Sequence, residues 1–580
     1  ADLDDDDEVD AGEEATEPDS LWDYNLDVEQ HAQGFCAPHP GFTSLCTWDS
    51  ASQASWSTNR KQNSAQVFHF VNTFHDHLKL DPDIAWTTRT FENGDRVIAH
   101  SDDGAAAGVA GEWLGTLMPD VFHVSNANMY TPPDGQSPRM QMYLFTSFTG
   151  VFASDPTPDA NGGDDGAVVY HEYAHGLSNR LITYADGWGA LDSFQSSAMG
   201  EGWSDWYALD YLVGEGFAPD TGAVGDVTLD RYLGNGKPTI RSEGLDCPVA
   251  PVSAACPGGD DTGSQGGYTL GDMGRIWSGG PEVHADGEIW AQTLWDLRGA
   301  VGVGDARFLV TEGMRLSPRN PSFLDMRNAI LQANQVGVLG GRTDHEATIW
   351  AVFAARGMGF FAATEDADDT TPIQSFALPP DPEDGTGSLA GVVTDSDTGK
   401  PVTGVKVEFA GLGFSDTTDA LGQYSILDVP VGTYAQVVAS KVGYDRDVGS
   451  NVPVVAGTQG ALDLEVRRDW AAYDGGGRIH AFTGPNFAAY GCGPAHAIDQ
   501  STATGWSTVT PSLLPGTRSI TVKLPAYVDV SSFAVDPGAV CGDPDSASAQ
   551  GYKIETSKTA ASGSWTVVKT GSFTLGQAHQ

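Results

Sequence analysis

Residues 168–181 read VVYHEYAHGLSNRL and place two histidines four apart, with a glutamate directly after the first. On a helix, residues four apart lie about 40° from each other around the axis and within about 6 Å. His171 and His175 can therefore share one cation. Zinc takes neutral imidazoles in a tetrahedral set and lowers the pKa of its water toward about 7. Glu172 lies beside such an ion rather than on it, where its carboxylate can take a proton from that water. With 14 histidines in 580 residues, H-E-x-x-H arises by accident in on the order of one or two chains per hundred of this composition. The motif therefore needs a third ligand.

The metzincin pattern would put glycine at 178 and histidine at 181, where this chain has Ser178 and Leu181, so that class is excluded. A second helical pattern, MGEGWSDWYALDYLV, carries Glu201 and Asp205 four apart. Glu201 can supply the third ligand. Asp205, one turn on, can accept a hydrogen bond from a ligating imidazole and fix its tautomer. A solvated acidic face is the plain alternative, but Trp203, Trp206, Tyr207 and Leu209 make this helix a buried one, where unpaired carboxylates are costly. His75 and Asp76 in FHDH share an apolar helical pattern with Val71, Phe74 and Leu78 and are read as packing and hydrogen-bonding residues rather than as a metal pair.

The two helices belong to a chain of 580 residues, longer than one hydrophobic core usually needs, so about two to four domains are expected. There is no run of about 18 apolar residues, and the start lacks the basic and apolar regions of a signal peptide, so the chain reads as a soluble, processed product without its leader. Acidic residues outnumber basic ones 78 to 30, a formal charge of -48, which argues against nucleic acid or an anionic membrane as partner. Residues 1–20 are a low-complexity acidic run with almost nothing to bury and are expected to be disordered. Residues 21–377 form the metal-bearing domain. The Pro, Gly and acids of 378–388 make a linker. Residues 389–467 alternate with a period of two and are expected to form a small antiparallel β-sandwich, and 470–580 a third, Gly- and aromatic-rich β domain. Cys36, Cys46, Cys247, Cys256, Cys492 and Cys541 lack zinc-ribbon or redox spacing; their even count favours three disulfides in an oxidising compartment and hence secretion.

Several longer segments resemble one family, the fungalysin zinc endopeptidases, relatives of thermolysin with a glutamate third ligand. They are NSAQVFHFVNTFHDHL, NANMYTPPDGQSPRMQMYLF, HEYAHGLSNRL, MGEGWSDW, VHADGEIWAQTLWDLR, GMRLSPRNPSF and MRNAILQAN, spread over roughly residues 60–360 in the family's order. The resemblance implies His171, His175 and Glu201 as zinc ligands and Glu172 as general base and later acid. It implies that His284 stabilises the tetrahedral oxyanion, and that Asn126 and Ala127 lie on an edge strand where substrate adds as a further strand. Thermolysin has an aspartate five residues ahead of that histidine; this chain has Gly279, which leaves Glu282 and Asp325 as candidates to orient His284. The implied activity is internal peptide-bond cleavage on the amino side of bulky apolar residues. Family members are made with an inhibitory prosegment, whose absence here fits a processed chain.

Through LAGVVTDSDTGKPVTGVKVEF and TDALGQYSILDVPVGTY, residues 389–467 resemble carboxypeptidase regulatory-like or collagen-adhesin-type sandwiches, and through AIDQSTATGWST, ITVKLPAYVDVSSFAVDP and GYKIETS, residues 470–580 resemble discoidin-like galactose-binding jelly rolls. The expected fold class is therefore multidomain: an α+β thermolysin-like zincin catalytic domain followed by two all-β sandwich or jelly-roll domains. The expected partners are protein and peptide substrates, with carbohydrate or cell-surface polymer as a candidate ligand of the β domains, and the chain is read as a monomer. DANGGDDG, residues 159–166, offers oxygen ligands without the EF-hand pattern, so Ca2+ is a weaker expectation than zinc. The competing class is a surface adhesin with an inactive zinc domain; the intact set including Glu172 weighs against it.

Overall fold

The computed structural model describes Leu3, residues 24–27 and residues 46–574, apart from 93, 111–113, 148–156, 230, 235–239, 260, 261, 263–265, 279, 489–491, 503, 510–515 and 539–547. The acidic stretch 1–20, save Leu3, lies outside the described residues, as do Cys36, Cys541 and Gly279. Cys247 and Cys256 are disulfide-bonded to each other, and Cys46 and Cys492 each take part in a disulfide of their own.

The part that carries His171 and His175 is built on helices α1 (Arg60–Leu80), α2 (Gly166–Leu181), α3 (Phe194–Gly214), α4 (Val283–Val301), α5 (Val303–Leu316), α6 (Phe323–Leu339) and α7 (Glu346–Ala355). Helix α2 begins at Gly166 because Asp165 caps it. The Asp165 carboxylate accepts from the Ala167 N–H at 3.0 Å and from the N–H groups of Tyr232 and Leu233 at 3.1 and 3.2 Å. Phe74 of α1 stacks on Tyr170 at 4.7 Å, and His75 bonds the Tyr173 hydroxyl at 2.9 Å, so FHDH packs against the back of α2. Helix α3 is buried along most of its length, with Trp203 and Trp206 fully enclosed.

Glycine sets how closely α3 and α4 cross. A Cβ on Gly202 would lie 2.6 Å from the Gly287 carbonyl oxygen, and one on Gly287 would lie 2.6 Å from that of Ala198 and 2.9 Å from the Glu201 Cβ. Any larger residue at either position would push the two helices apart. This crossing brings Glu201 and the start of α4, with His284, to one place.

Strands β1 (Ile98–His100), β2 (Ala127–Tyr130) and β3 (Arg139–Met142) form a sheet in the order β1-β3-β2, with β1 parallel and β2 antiparallel to β3. NANMY therefore lies on an edge. The edge strand crosses α2 next to His175, where the Met129 methyl would sit 2.9 Å from a Cβ on Gly176. Strands β4 (Leu144–Phe145) and β5 (Ala160–Asn161) pair beside it.

An all-β region follows. Strands β6 (Thr386–Asp395), β7 (Lys406–Phe409), β8 (Ser415–Thr417), β9 (Gln423–Pro430), β10 (Gly432–Ser440), β11 (Tyr444–Asp445), β12 (Asp447–Val454), β13 (Gln459–Ala461) and β14 (Leu464–Arg468) make two sheets, β12-β10-β7-β8 and β11-β14-β6-β13 with β9 on β6. The expectation of a purely antiparallel sandwich needs correcting: β13 and β14 both run parallel to β6. The chain leaves that sheet for β10 and β12 and re-enters it beside β6, the crossover that parallel pairing requires. Strand β6 also begins inside the stretch read as a linker. Further on, β15 (Arg478–Phe482) pairs with β16 (Ile520–Lys523) and β17 (Gly551–Thr556) with β18 (Thr566–Ser572), two separate ladders among the described residues.

Four buried carboxyls give the fold an unusual pH dependence. Burial pushes Asp102 up to about 6, Asp164 and Asp286 to about 7 and Glu288 to about 8, from ordinary values of 3.8 for the aspartates and 4.5 for the glutamate. In each case the fold holds a proton that the unfolded chain has already released. The stability these groups contribute is complete below about pH 4 and is lost as pH rises through 6 to 8. The unfolding temperature of the metal-free protein should therefore rise as pH is lowered from 8 to 6. A flat or falling midpoint in calorimetry would show that these carboxyls are ionised in the fold.

Candidate metal centre

His171 and His175 project from one face of α2, and Glu201 from α3. Their ligand atoms converge: His171 Nε2 lies 3.1 Å from His175 Nε2 and 3.2 Å from Glu201 Oε2, and His175 Nε2 lies 3.5 Å from Glu201 Oε1. A tetrahedral ion with bonds of about 2.0–2.1 Å has ligand atoms about 3.3 Å apart, so the two imidazole nitrogens and the Glu201 carboxylate fit such an ion. The hydrogen-bonding pattern points the same way. His171 Nδ1 donates to Asp205 Oδ1 at 2.7 Å, which turns Nε2 toward a carboxylate and a second imidazole nitrogen. Acceptors facing one another in a buried site need positive charge between them.

The electrostatics agree. Burial lowers the pKa of His171, but its bonds to Asp205 and Glu201 outweigh burial and push it up to about 10. Burial takes His175 down to about 4. Glu201 lies well below the ordinary carboxylate range, since His284, His175 and His171 overcome the cost of burial. Glu172 is buried next to this set, and burial pushes its carboxyl up to about 7. A group with that pKa can both take and return a proton near neutral pH.

His284 opens α4 with its side chain 53% exposed, its Nε2 3.6 Å from Glu201 Oε2. Its Nδ1 bonds Glu282 Oε1 at 2.6 Å, so Glu282 is the group that orients it. Asp325 is engaged elsewhere, forming a capping box with Ser322 at the start of α6. Glu201 raises the His284 pKa against burial, and Glu282 adds to the rise, which favours a charged ring facing solvent.

Sequence reasoning missed Arg241. Its side chain is buried, and Nε donates to Asp205 Oδ2 at 2.6 Å while Nη2 donates to Asp205 Oδ1 at 3.0 Å and to Glu201 Oε2 at 3.2 Å. Burial alone would raise Asp205, but Arg241 and then His171 hold it below its ordinary value. No motif surrounds Arg241. The available signal was indirect: two carboxylates one turn apart on a buried helix demand a cation. Glu288 of α4 in turn fixes the Arg241 segment, accepting from the Ser242 N–H at 2.9 Å and the Glu243 N–H at 3.2 Å.

Asn126 and Ala127 stand at the start of β2, where the Asn126 side chain accepts from the Ala127 N–H at 2.9 Å. In residues 159–166, the weaker candidate for calcium, Asp165 is committed to the α2 cap, and Asp159 accepts from the Ser50 N–H at 2.8 Å and the Thr146 hydroxyl at 2.5 Å. Among the described residues, Glu243 also lies close to Cys247 and Cys256, but those sulfurs are bonded to each other.

The family model for fungalysin metallopeptidases matches residues 39–362. The chain belongs to the fungalysin metallopeptidase family. The match takes in α1 to α7, and so all of the helices that build the centre. A second family model, carboxypeptidase regulatory-like domain, matches residues 388–467. Extracellular metalloproteinase 2 of Arthroderma gypseum is 31% identical over 315 residues, 51% of this chain and 43% of that protein. Extracellular metalloproteinase MEP of Fusarium vanettenii is 32% identical over 350 residues, 55% of this chain and 47% of that protein. The chain thus spans less than half the length of these fungalysin relatives. Among solved structures, a cohesin and X-dockerin complex from Acetivibrio cellulolyticus covers 14% of this chain at a TM-score of 0.12 and 27% identity.

Proposed function

We infer that this fungalysin is a secreted zinc endopeptidase that hydrolyses internal peptide bonds, with bulky apolar residues preferred on the amine side of the cut. The observation that carries the reading is the convergence of His171, His175 and Glu201 ligand atoms beside the buried carboxyl of Glu172. The names of the fungal relatives, extracellular metalloproteinases, support both proteolysis and secretion.

His171, His175 and Glu201 would hold the ion, which supplies Lewis acidity and makes water acidic enough to attack at neutral pH. The chain's own residues do the rest. Glu172 takes a proton from the attacking water as its oxygen adds to the scissile carbonyl carbon. It then delivers that proton to the amine nitrogen as the C–N bond breaks. His284, oriented by Glu282, donates from its exposed nitrogen to the oxyanion. Arg241 and Asp205 hold Glu201 and His171 in place. The open edge of β2 offers Asn126 and Ala127 to a peptide lying as an added strand. The discoidin-like assignment of 470–580, and binding of carbohydrate or surface polymer by the β domains, belong to this reading as well.

Casein digestion with and without 1,10-phenanthroline tests it, with product termini read by mass spectrometry. Cleavage should stop with the chelator, return with stoichiometric zinc, and leave bulky apolar residues at the new amino ends. Chelator-insensitive cleavage would sink the assignment.

A further inference from the structure

The first turn of α3 is not capped by its own N-cap side chain: Ser193 makes no such bond. A segment about 170 residues later in the chain supplies the missing acceptors. The Phe194 N–H donates to Asp368 Oδ1 at 2.9 Å and the Gln195 N–H to the Ala367 carbonyl at 2.8 Å. The fully buried Gln195 side chain adds bonds to Thr364 Oγ1 at 2.9 Å and the Asp369 carbonyl at 2.7 Å, and accepts from the Phe323 N–H at 3.0 Å. Glu201 stands less than two helical turns beyond Gln195.

The β-sandwich holds that same segment from its other side. Arg446, between β11 and β12, pairs with Asp366. Phe361 packs on Tyr434 of β10 with ring centroids 5.2 Å apart, and Tyr434 in turn packs on Phe409 of β7 at 4.5 Å. The fit is close, since a Cβ on Gly432 would lie 2.4 Å from Phe361 Cζ. Deeper in, the buried Arg327 of α6 donates to the Met358 and Gly359 carbonyls at 2.9 and 3.0 Å and, across the boundary, to the Gly411 carbonyl at 2.6 Å. The Asn328 side chain donates to the same Gly411 oxygen at 3.0 Å. A buried guanidinium spent on carbonyls of both units, with aromatic rings interlocked beside it, is the chemistry of a fixed interface rather than of a tethered module.

We propose that the β-sandwich is a buttress of the metal centre: by gripping residues 361–369 it fixes the first turn of α3 and so positions Glu201. Phe361 and Arg446 are positioning residues that touch neither metal nor substrate. The sandwich thereby contributes to hydrolysis itself as well as to any binding of polymer. The proposal rests on the reading of Glu201 as a metal ligand only for its effect on metal release; the effect on α3 stands apart from it.

The test uses the full chain and the variants Phe361→Ala, Arg446→Ala and Phe361→Leu. Hydrogen exchange read by mass spectrometry should quicken at residues 194–201 in Phe361→Ala and, less, in Arg446→Ala, while α2 keeps its protection. Zinc should leave Phe361→Ala for a chelator about three- to tenfold faster, below the 10- to 100-fold cost of removing a direct partner of a ligand. Phe361→Leu should return both readouts most of the way. Unchanged exchange in α3 would overturn the proposal, and so would exchange that rises equally in α2, because that reports general loosening. If the protein proves to have no peptidase activity but α3 still responds, the function assignment fails and the buttress stands.

Discussion

In the Glu172→Gln variant, peptide hydrolysis falls by at least about a thousandfold while the protein still takes up one zinc ion, given general-base contributions of about 10² to 10⁴. The amide matches the carboxyl in size and cannot accept a proton from water. Glu172 is buried, and burial pushes its pKa up to about 7, so replacing it with a neutral amide removes a charge that the fold tolerates poorly at higher pH. Stability at pH 8 should therefore be no lower than in the parent. The comparison needs turnover on one peptide, metal content by atomic spectroscopy and a thermal melt. Turnover within tenfold of the parent would discard Glu172 as the base, and lost zinc would show that the residue holds the site together instead.

The Arg241→Ala variant should suffer in two ways. Asp205 is wholly buried and would lose both of its guanidinium bonds, and Glu201 would lose one. Removing one partner of a buried ion pair costs about 3–5 kcal/mol, because the remaining charge has neither water nor a counter-ion. Asp205 also accepts from His171, a ligand in the proposed site, so zinc affinity should drop by about 10- to 100-fold, as for other partners one step removed from a metal. Denaturant unfolding and competition against a calibrated chelator measure the two effects. Arg241→Lys should recover part of the stability but less of the zinc affinity, since a point charge cannot reproduce the fork that spans Asp205 and Glu201. Parent-like values for both quantities in Arg241→Ala would remove Arg241 from the site.

Both variants probe the line between what could be read along the chain and what could not. The pairing of His171 with His175, and the relation of Glu201 to Asp205, follow from helix geometry alone: residues four apart share a face wherever the helix lies. Apolar neighbours such as Trp203 and Trp206 mark that face as buried, and a buried carboxylate must have partners. The orienting group of His284 was legible only as a choice. Glu282 is two residues away and bonds the ring, whereas Asp325 serves its own helix cap. The β texture of 389–467 was plain from its alternation, but alternation does not encode direction, and β13 and β14 proved parallel to β6.

By itself, the sequence determined which residues share a helix face and could do chemistry together, because helical periodicity and residue type are local properties. The tertiary structure alone decided that Arg241, 36 residues from Asp205, neutralises it, that glycines at 202 and 287 let two helices meet, and that residues 364–369 of a distant loop and the sandwich beyond it secure the helix bearing Glu201. The physical reason is that counter-ions, close crossings and caps supplied from afar depend on which surfaces the chain brings together, and no spacing along the chain records that.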